Sequence, residues 1–458
     1  MSFLVVPCLL LLLASVAFVQ GKRRALAVAA GERLHSRPWY HGMLVALWCL
    51  IPGLLIYLLW VFFADSILTR LVLQELPREM LARGAAQKTL LVNDLHNLVA
   101  GHVAARDIDP VLQQAADHYR ALAATGRMFM AFLMLGTAVL SAALVYFRIS
   151  PDLRSRNHVE QIIRVGLLLC STVAVLTTIG IVLSVLFESI RFFRQIPLAE
   201  FLFGLKWSPQ MAMRADQVGS SGSFGVVPVL AGTLLISAIA LAVAVPVGLM
   251  SAIYLSEYAG PRLRAWARPT MEILAGVPTV VYGFFAALVV APFIHDIGAR
   301  VGLDVSSESA LASGLVMGIM IIPSVSSLSD DVINAVPRSL RDGSYGLGAT
   351  RSETIIHVVL PAALPGIVGG ILLAASRAIG ETMIVVMAAG LAARLTANPL
   401  EAVTTVTVQI VTLLAGDQAF DSPRTLAAFA LGLLLFVVTM ALNMAAMYVV
   451  RRYREEYE

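Results

Sequence analysis

The chain alternates between long runs of apolar residues and shorter polar segments. Nine of these runs come close to the roughly 20 residues that an α-helix needs to cross a bilayer. They cover residues 3–20, 43–64, 128–147, 162–187, 226–254, 272–294, 308–327, 362–390 and 424–450. Unbroken apolar runs favour helical spans over the ten-residue alternating segments of a transmembrane barrel. We therefore predict an all-α, polytopic helical membrane protein with about nine transmembrane helices.

The positive charges of the connecting segments predict the orientation of these spans. Arginine and lysine concentrate in every second connection and in the C-terminal tail, as in segments that are retained on the cytoplasmic side. The basic segments are 21–41, 148–161, 255–271, 328–361 and 451–454. We therefore expect a multi-pass protein of the inner (plasma) membrane with its N-terminus outside and its C-terminus in the cytoplasm. Positive charge follows the first run instead of preceding it, which favours an uncleaved anchor over a signal peptide.

The composition of the chain excludes several classes of function and of binding site. Of its 458 residues, 59% are hydrophobic and 14% are charged, against roughly 25% charged residues in a soluble domain. The net charge of +4 is too small to indicate a nucleic-acid partner. None of the lysines Lys22, Lys88 and Lys206 stands between Gly and Ser or Thr, as a phosphate-binding P-loop requires. We expect no ATP site, no catalytic residue and no cofactor, so ATP-driven work would require a separate ATPase.

The segment 66–127 is the one sizeable polar stretch. Apolar residues recur in it at helical spacing, which predicts a helical extracytoplasmic insert within an N-terminal extension, 1–150, that carries three spans. The insert contains His96, His102 and His118. Their spacing is not diagnostic of a metal site, so we expect surface histidines and no bound metal. The three cysteines lie in apolar runs and form no Cys-x-x-Cys pair, which speaks against zinc and against disulfides.

The polar connection 328–361 contains a cluster of small residues and helix stops. Asp342-Gly343-Ser344 is followed by Gly348 and, beyond it, by Leu360-Pro361. We predict two short helices with a Gly-containing turn between them, with Pro361 ending the second helix and starting the next span. The alternative is an ordinary polar loop between two spans.

The spacing within this connection resembles the coupling loop of ABC importer permeases. In that family a separate ATPase binds the membrane subunit at this loop. Asp342 replaces the Glu, and Gly343-Ser344 replace the Ala-Ala, of the family's triplet, while the spacing is kept. The resemblance implies ATPase contact by Asp342, Gly343, Ser344, Gly348, Leu360 and Pro361.

Three further stretches resemble one branch of that family. Ser223-Phe224-Gly225 with the following Pro228 is similar to the entry of a core span in phosphate permeases, and 272–283 is similar to their next span. The stretch 377–383, Arg-Ala-Ile-Gly-Glu-Thr-Met, closely resembles the family's Arg-Ala-Leu-Gly-Glu-Thr-Met. Over 160–455 the chain is therefore similar to PstC-type permeases of phosphate ABC importers. The resemblance implies a type I importer permease core of six spans in this region.

Arg377 and Glu381 would share one face of a helix at this spacing. A charge inside a membrane costs at least ~2.5–3.5 kcal/mol and points to function. The planar fork of Arg suits an oxyanion, and Glu381 would neutralise Arg377 when the path is empty. The alternative is a static ion pair that locks two helices. The predicted substrate path comprises Arg377, Glu381, Thr382, Ser324 and Thr279, although for Ser324 and Thr279, which follow prolines, helix packing is an equal alternative.

The resemblance implies a permease subunit of an ATP-driven phosphate importer. Its implied partners are a second permease subunit, a cytoplasmic ABC ATPase dimer, an extracytoplasmic phosphate-binding protein and inorganic phosphate. The alternative is a permease for another anion or solute, such as molybdate or sulfate. A membrane enzyme or a sensor would need a catalytic constellation or a signalling domain, and the sequence contains neither His-Glu-x-x-His nor Gly-x-Ser-x-Gly.

Overall fold

The computed structural model describes residues 5–29, 33–77, 85–100, 110–211, 221–415 and 422–453. Nearly all of this part of the chain is helical, apart from a short antiparallel hairpin. Two compact units divide the chain, Met1–Leu176 and Thr177–Glu458. The boundary falls within the helix Ser155–Phe193, so residues 155–176 of this helix belong to the first unit and residues 177–193 belong to the second.

The first unit is a helical bundle with an appended helix. Its elements are α1 (Val5–Ala29), α2 (Pro38–Glu75), α3 (Ala85–Ala100), α4 (Pro110–Phe147) and the first part of α5 (Ser155–Phe193). Apolar side chains of α1, α2 and α4 form a common core that includes Leu10, Cys49 and Met134. At Gly21 the backbones of α1 and α2 come so close that a Cβ would lie 2.8 Å from a methyl of Val45. Small residues at such crossings favour helix association in a membrane.

The described part of the polar segment 66–127 is helical, being formed by the end of α2, by α3 and by the start of α4. Two of its histidines each approach a carboxylate of α2. His96 Nε2 lies 3.1 Å from Asp65 Oδ1, and His118 Nδ1 lies 2.6 Å from Glu75 Oε2. His102 lies outside the described residues. Among the described residues, no group of three or more His, Cys, Asp or Glu is arranged to hold a metal ion.

The second unit contains the remaining elements. They are α6 (Leu198–Phe203), β1 (Trp207–Met211), β2 (Ser221–Phe224), α7 (Val227–Ile253), α8 (Pro261–Ala275), α9 (Thr279–Phe285), α10 (Ala291–Val301), α11 (Ala310–Ala335), α12 (Arg338–Gly346), α13 (Arg351–Thr354), α14 (Leu360–Ile379), α15 (Met383–Ala388), α16 (Val406–Leu414) and α17 (Pro423–Tyr453). Three π-helical turns, Tyr254–Tyr258, Ala286–Val290 and Ile355–Val359, extend α7, join α9 to α10 and join α13 to α14.

The core of the second unit lies between α7 and α11. Ile236 of α7 and Met317 and Ile321 of α11 are almost fully buried there. Gly318 permits this close approach, because a Cβ at that position would lie 2.9 Å from the carbonyl oxygen of Ala240. The close packing makes α11 the most buried of the candidate spans in the described chain. Its position fixes the side chains that α11 presents to the candidate site.

The predicted number of spans is confirmed within the part of the chain that the structure describes. Nine helical segments there are long and apolar enough to cross a membrane, and each overlaps one of the nine predicted runs. Several segments extend well beyond the apolar run, as α11 does in continuing to Ala335. Polar residues in the final turns of a helix are tolerated where the helix leaves the hydrocarbon, so hydropathy alone underestimates helix length.

Two predicted spans need correction. The span placed at 272–294 begins only at Thr279, because Pro278 separates α8 from α9 and has no N–H to continue the helix. The span placed at 362–390 is broken, since α14 ends at Ile379 and α15 begins at Met383. Gly380 lies at this break, and glycine is among the weakest helix formers. Irregular backbone at membrane depth is tolerated where it is buried in protein or lines a cavity.

Candidate functional site

Arg377 lies in the last turn of α14 and contacts α11. Its Nη1 donates a hydrogen bond to Ser324 Oγ at 3.1 Å. Among the described residues, no carboxylate lies within ion-pair distance of Arg377, and the side chain is exposed. The structure therefore brings together two of the five predicted path residues. It leaves most of the guanidinium's five N–H donors available.

Glu381 lies beyond the end of the helix that carries Arg377. Its carboxylate accepts a hydrogen bond from the backbone N–H of Met383 at 3.2 Å, at the start of α15. Its carbonyl oxygen accepts a hydrogen bond from Thr407 at 2.8 Å. The prediction that Arg377 and Glu381 share a helix face is therefore wrong, because α14 ends at Ile379. The alternative of a static Arg377–Glu381 ion pair is also wrong in this conformation.

The other two predicted path residues differ in their surroundings. Thr382 lies in the break between α14 and α15, where its hydroxyl donates to the carbonyl oxygen of Gly380 at 3.3 Å. Thr279 begins α9 directly after Pro278. Neither Thr279 nor Thr382 lines the cavity that lies between α8, α11 and α14.

A cavity of about 490 Å³ lies between α8, α11 and α14. Ser324, Ser326 and Ser327 line it together with Arg377. The three serines follow Pro323 on α11, and Ser324 is the one that was predicted to line the path. The cavity continues along α11 toward Asp331, four residues before the end of that helix.

Four charged residues of this lining were missed by the sequence analysis. They are Arg268, Glu272, Asp330 and Asp331. Hydropathy placed Asp330 and Asp331 in a loop, whereas α11 extends through them. For Asp331 the sequence did contain a signal, namely its spacing from the serines. Ser324, Ser327 and Asp331 are three and four residues apart, which places them on one face if the helix continues.

Arg268 and Asp330 form an ion pair that links α8 to α11. The second carboxylate oxygen of Asp330 accepts a hydrogen bond from the side-chain amide of Asn334 at 2.8 Å. Asp330 is therefore engaged on both oxygens and its side chain is 9% exposed. Arg268 keeps a buried Nε without a hydrogen-bond partner.

The predicted coupling loop contains one separate helix, α12. Asp342, Gly343 and Ser344 lie within α12, and Ser344 Oγ lies 2.9 Å from the hydroxyl of Thr354. Gly348 follows with φ +88°, a left-handed conformation that favours glycine. Leu347, between them, is 91% exposed. The loop therefore presents an apolar side chain at its tip, next to a turn that depends on glycine.

The prediction of a second short helix that ends at Pro361 is wrong. A helix begins at Arg351, passes through the π-helical turn Ile355–Val359 and runs on through Leu360 and Pro361 to the end of α14. Proline clashes with the carbonyl group four residues earlier in a regular α-helix. A wider π turn directly before Pro361 relieves this clash without ending the helix.

The start of this long helix is fixed by a capping box. The hydroxyl of Thr350 accepts from the N–H of Glu353 at 3.4 Å, and the Glu353 carboxylate accepts from the N–H of Thr350 at 2.8 Å. Two N–H groups at the helix start are satisfied in this way. The capping box thereby fixes where the turn that contains Gly348 ends.

Arg341 holds α12 against the membrane-spanning helices. Its Nη2 donates to Glu257 Oε1 at 3.0 Å, in the π turn that follows α7. The same guanidinium donates to the carbonyl oxygens of Ile333 and Val336 at 2.7 and 2.6 Å, at the end of α11. One side chain thus ties the loop helix to both α7 and α11.

Comparison with known protein families assigns both parts of the chain. The family of binding-protein-dependent transport system inner membrane components matches residues 244–455. A family described as phosphate ATP-binding cassette transporter matches residues 7–177, which coincides with the first compact unit. The chain is 34% identical over 253 residues to a probable ABC transporter permease protein, YqgH, of Bacillus subtilis, covering 55% of this chain and 78% of that protein.

Two relatives are named as permease proteins of a phosphate transport system. The chain is 35% identical to the permease protein PstC of Mesorhizobium japonicum, over 50% of this chain and 74% of that one. It is 36% identical to PstC 1 of Mycobacterium bovis, over 50% of this chain and 73% of that one. The chain therefore belongs to the PstC-type permease family of binding-protein-dependent transport systems.

Proposed function

We propose that this chain is the transmembrane permease subunit of an ATP-driven phosphate importer and forms the translocation path together with a second permease subunit. The observation that supports this most is Arg377, an exposed guanidinium at the end of a candidate membrane span. Its hydrogen-bond partner among the described residues is the hydroxyl of Ser324, at 3.1 Å. A charge in this position is costly, and such residues generally face a water-filled cavity or a partner.

The chemistry of Arg377 suits an oxyanion cargo. A guanidinium donates two parallel hydrogen bonds to the oxygens of a phosphate, and these charge-assisted bonds are stronger than neutral ones. Ser324, Ser326 and Ser327 add hydroxyls along the same cavity. The relatives named for phosphate transport support phosphate as the cargo of this chain as well.

The loop that contains α12 is proposed to bind the ATPase. Leu347 at its tip is exposed, and Gly348 allows the sharp reversal after α12. Arg341 would transmit a movement of α12 to α7 and α11, since its guanidinium bonds to both. A cytoplasmic ATPase dimer at this loop would thereby open and close the cavity. Phosphate would arrive from an extracytoplasmic binding protein on the other side.

The proposed division of the chain follows from these roles. Residues 160–455 form the permease core, and the coupling loop 328–361 lies within it. Residues 1–150 form an N-terminal extension whose insert, 66–127, lies on the extracytoplasmic side of the membrane. The basic segments on one side of the spans support an N-terminus outside and a cytoplasmic C-terminus.

Uptake of labelled phosphate tests this proposal. Cells that lack their own phosphate importers would express the chain with the transporter subunits encoded beside it. We expect phosphate uptake that depends on ATP and that an excess of sulfate or molybdate leaves unchanged. Uptake of sulfate or molybdate instead of phosphate, by a complex that contains the ATPase, would assign the permease to the other cargo.

A further inference from the structure

The cavity beside Arg377 carries more negative than positive side chains. Two guanidiniums line it, and three carboxylates line it as well, namely Arg268, Arg377, Glu272, Asp330 and Asp331. A site for a bare anion gains from positive charge and loses from each nearby negative charge. The negative excess therefore requires an explanation if the cavity holds an anion.

The five charges are not equally available to a ligand. Asp330 is occupied by Arg268 and Asn334. Asp331 and Glu272 are both exposed, and among the described residues neither has an ion-pair partner. Arg377 has only its bond to Ser324 among the described residues. A ligand in the cavity therefore meets one open guanidinium and two open carboxylates.

The donors and acceptors lie along one line of α11. Ser324 and Ser327 are three residues apart, and Asp331 follows four residues later, so the three share one helix face. Seven residues of α-helix rise by about 10 Å. Arg377 joins this line at Ser324, and Glu272 approaches from α8. Ser324 and its partner Arg377 thus lie toward one end of this face, and Asp331 lies toward the other.

We propose that the cavity selects an oxyanion that still carries its own proton. Inorganic phosphate retains at least one O–H at neutral pH, as arsenate does, whereas sulfate retains none. Arg377 and the serines donate to the unprotonated oxygens of the ligand, while Asp331, assisted by Glu272, accepts a hydrogen bond from its O–H. A fully deprotonated anion offers no proton to these carboxylates and is repelled by them. This inference rests on the proposed function, because it assigns a selectivity to the same path.

The selectivity is tested on the permease complex without its binding protein, since the binding protein would impose a preference of its own. The chain would be purified with its partner permease and ATPase in lipid nanodiscs. Equilibrium binding of labelled inorganic phosphate would then be measured against competing arsenate and sulfate. We expect arsenate to displace phosphate and sulfate to compete about tenfold less well or worse, because a site that bonds a ligand O–H rejects an analogue lacking it.

Substitution of the acceptor carboxylate should remove this difference. In Asp331→Asn the repulsion of sulfate falls. Sulfate should therefore displace labelled phosphate about tenfold better than it does from the unsubstituted complex. Glu272→Gln should shift the ratio in the same direction. Asp296→Asn, an exposed carboxylate of α10 outside the cavity lining, is the matched control and should leave the ratio unchanged. Copurification of the ATPase with each variant verifies that the complex is intact.

The possible outcomes separate this inference from the proposed function. Equal competition by sulfate and arsenate in the unsubstituted complex overturns the inference, as does an unchanged ratio in both carboxylate variants. A complex that takes up phosphate in cells but shows no measurable binding in nanodiscs also overturns it, while the proposed function stands. Absence of phosphate uptake in cells, with another solute transported instead, refutes the proposed function itself.

Discussion

The ion pair between Arg341 and Glu257 allows a prediction of defined magnitude. The two side chains are only 14% and 10% exposed, and the contact distance is 3.0 Å. Arg341 also donates to carbonyl oxygens of α11. Removing one partner of a fully buried pair costs about 3–5 kcal/mol, because the other charge remains buried without compensation. For this partly exposed pair we expect about 2–3 kcal/mol from Arg341→Gln.

The cost should appear as easier detachment of α12 from the rest of the second unit. Because every 1.4 kcal/mol corresponds to a factor of ten, the equilibrium for local opening should rise by about 30- to 150-fold. Hydrogen–deuterium exchange measures this opening directly, since the amides of α12 exchange when the helix detaches. We expect faster exchange in α12 and little change in α17, which Arg341 does not contact.

A control and a second substitution make the test decisive. Arg338→Gln removes an exposed arginine from the same helix and should leave exchange in α12 nearly unchanged. The double variant Arg341→Gln with Glu257→Gln should cost less than the sum of the two single variants, because the lone buried carboxylate is removed as well. Equal exchange in Arg341→Gln and Arg338→Gln would refute the role of Arg341, and strict additivity in the double variant would refute the pairing.

Three further predictions concern glycine positions and the extension. Gly348→Ala should destabilise the loop by about 1–2 kcal/mol, because alanine is strained at a positive φ. Copurification of the ATPase should therefore fall in Gly348→Ala and stay intact in Gly346→Ala. Equal copurification of the ATPase with the two variants would contradict this. Gly318→Ala should reduce the thermal stability of the solubilised protein, because its Cβ would meet the facing backbone, whereas Gly180→Ala, which has open space, should not; equal melting temperatures would contradict this. Deletion of 1–150 should leave measurable phosphate uptake, and complete loss from a folded, membrane-inserted truncation would refute this.

The membrane spans could be predicted because hydropathy reports directly on the solvent that each segment meets. All nine described spans overlap the predicted runs. The break between Ile379 and Met383 could not be predicted in this way, since the apolar stretches on both sides of it together give the hydropathy of one span. It depends on a weak helix former, Gly380, and on Glu381, whose carboxylate accepts from the start of α15. Such local hydrogen bonding leaves little trace in a hydropathy pattern.

The candidate site was predictable only in part, for a similar reason. Arg377 and Ser324 are isolated polar residues in apolar surroundings, and the structure brings them into contact. Arg268 was interpreted only as one positive charge of a basic connection. Its pairing with Asp330 requires α8 to pack on an extended α11, which is a tertiary feature. Glu272 and Asp331 became relevant only once the cavity placed them in the same lining as Arg377.

The central claim is that Arg377 binds the transported oxyanion, and substitution of this arginine tests it most directly. Uptake of labelled phosphate would be compared between Arg377→Gln and Arg300→Gln, the latter removing an exposed arginine of α10 outside the cavity. Both complexes should assemble with the ATPase at normal levels. The account predicts that Arg377→Gln abolishes uptake and that Arg300→Gln retains it. Normal phosphate uptake by an assembled Arg377→Gln complex would contradict the account.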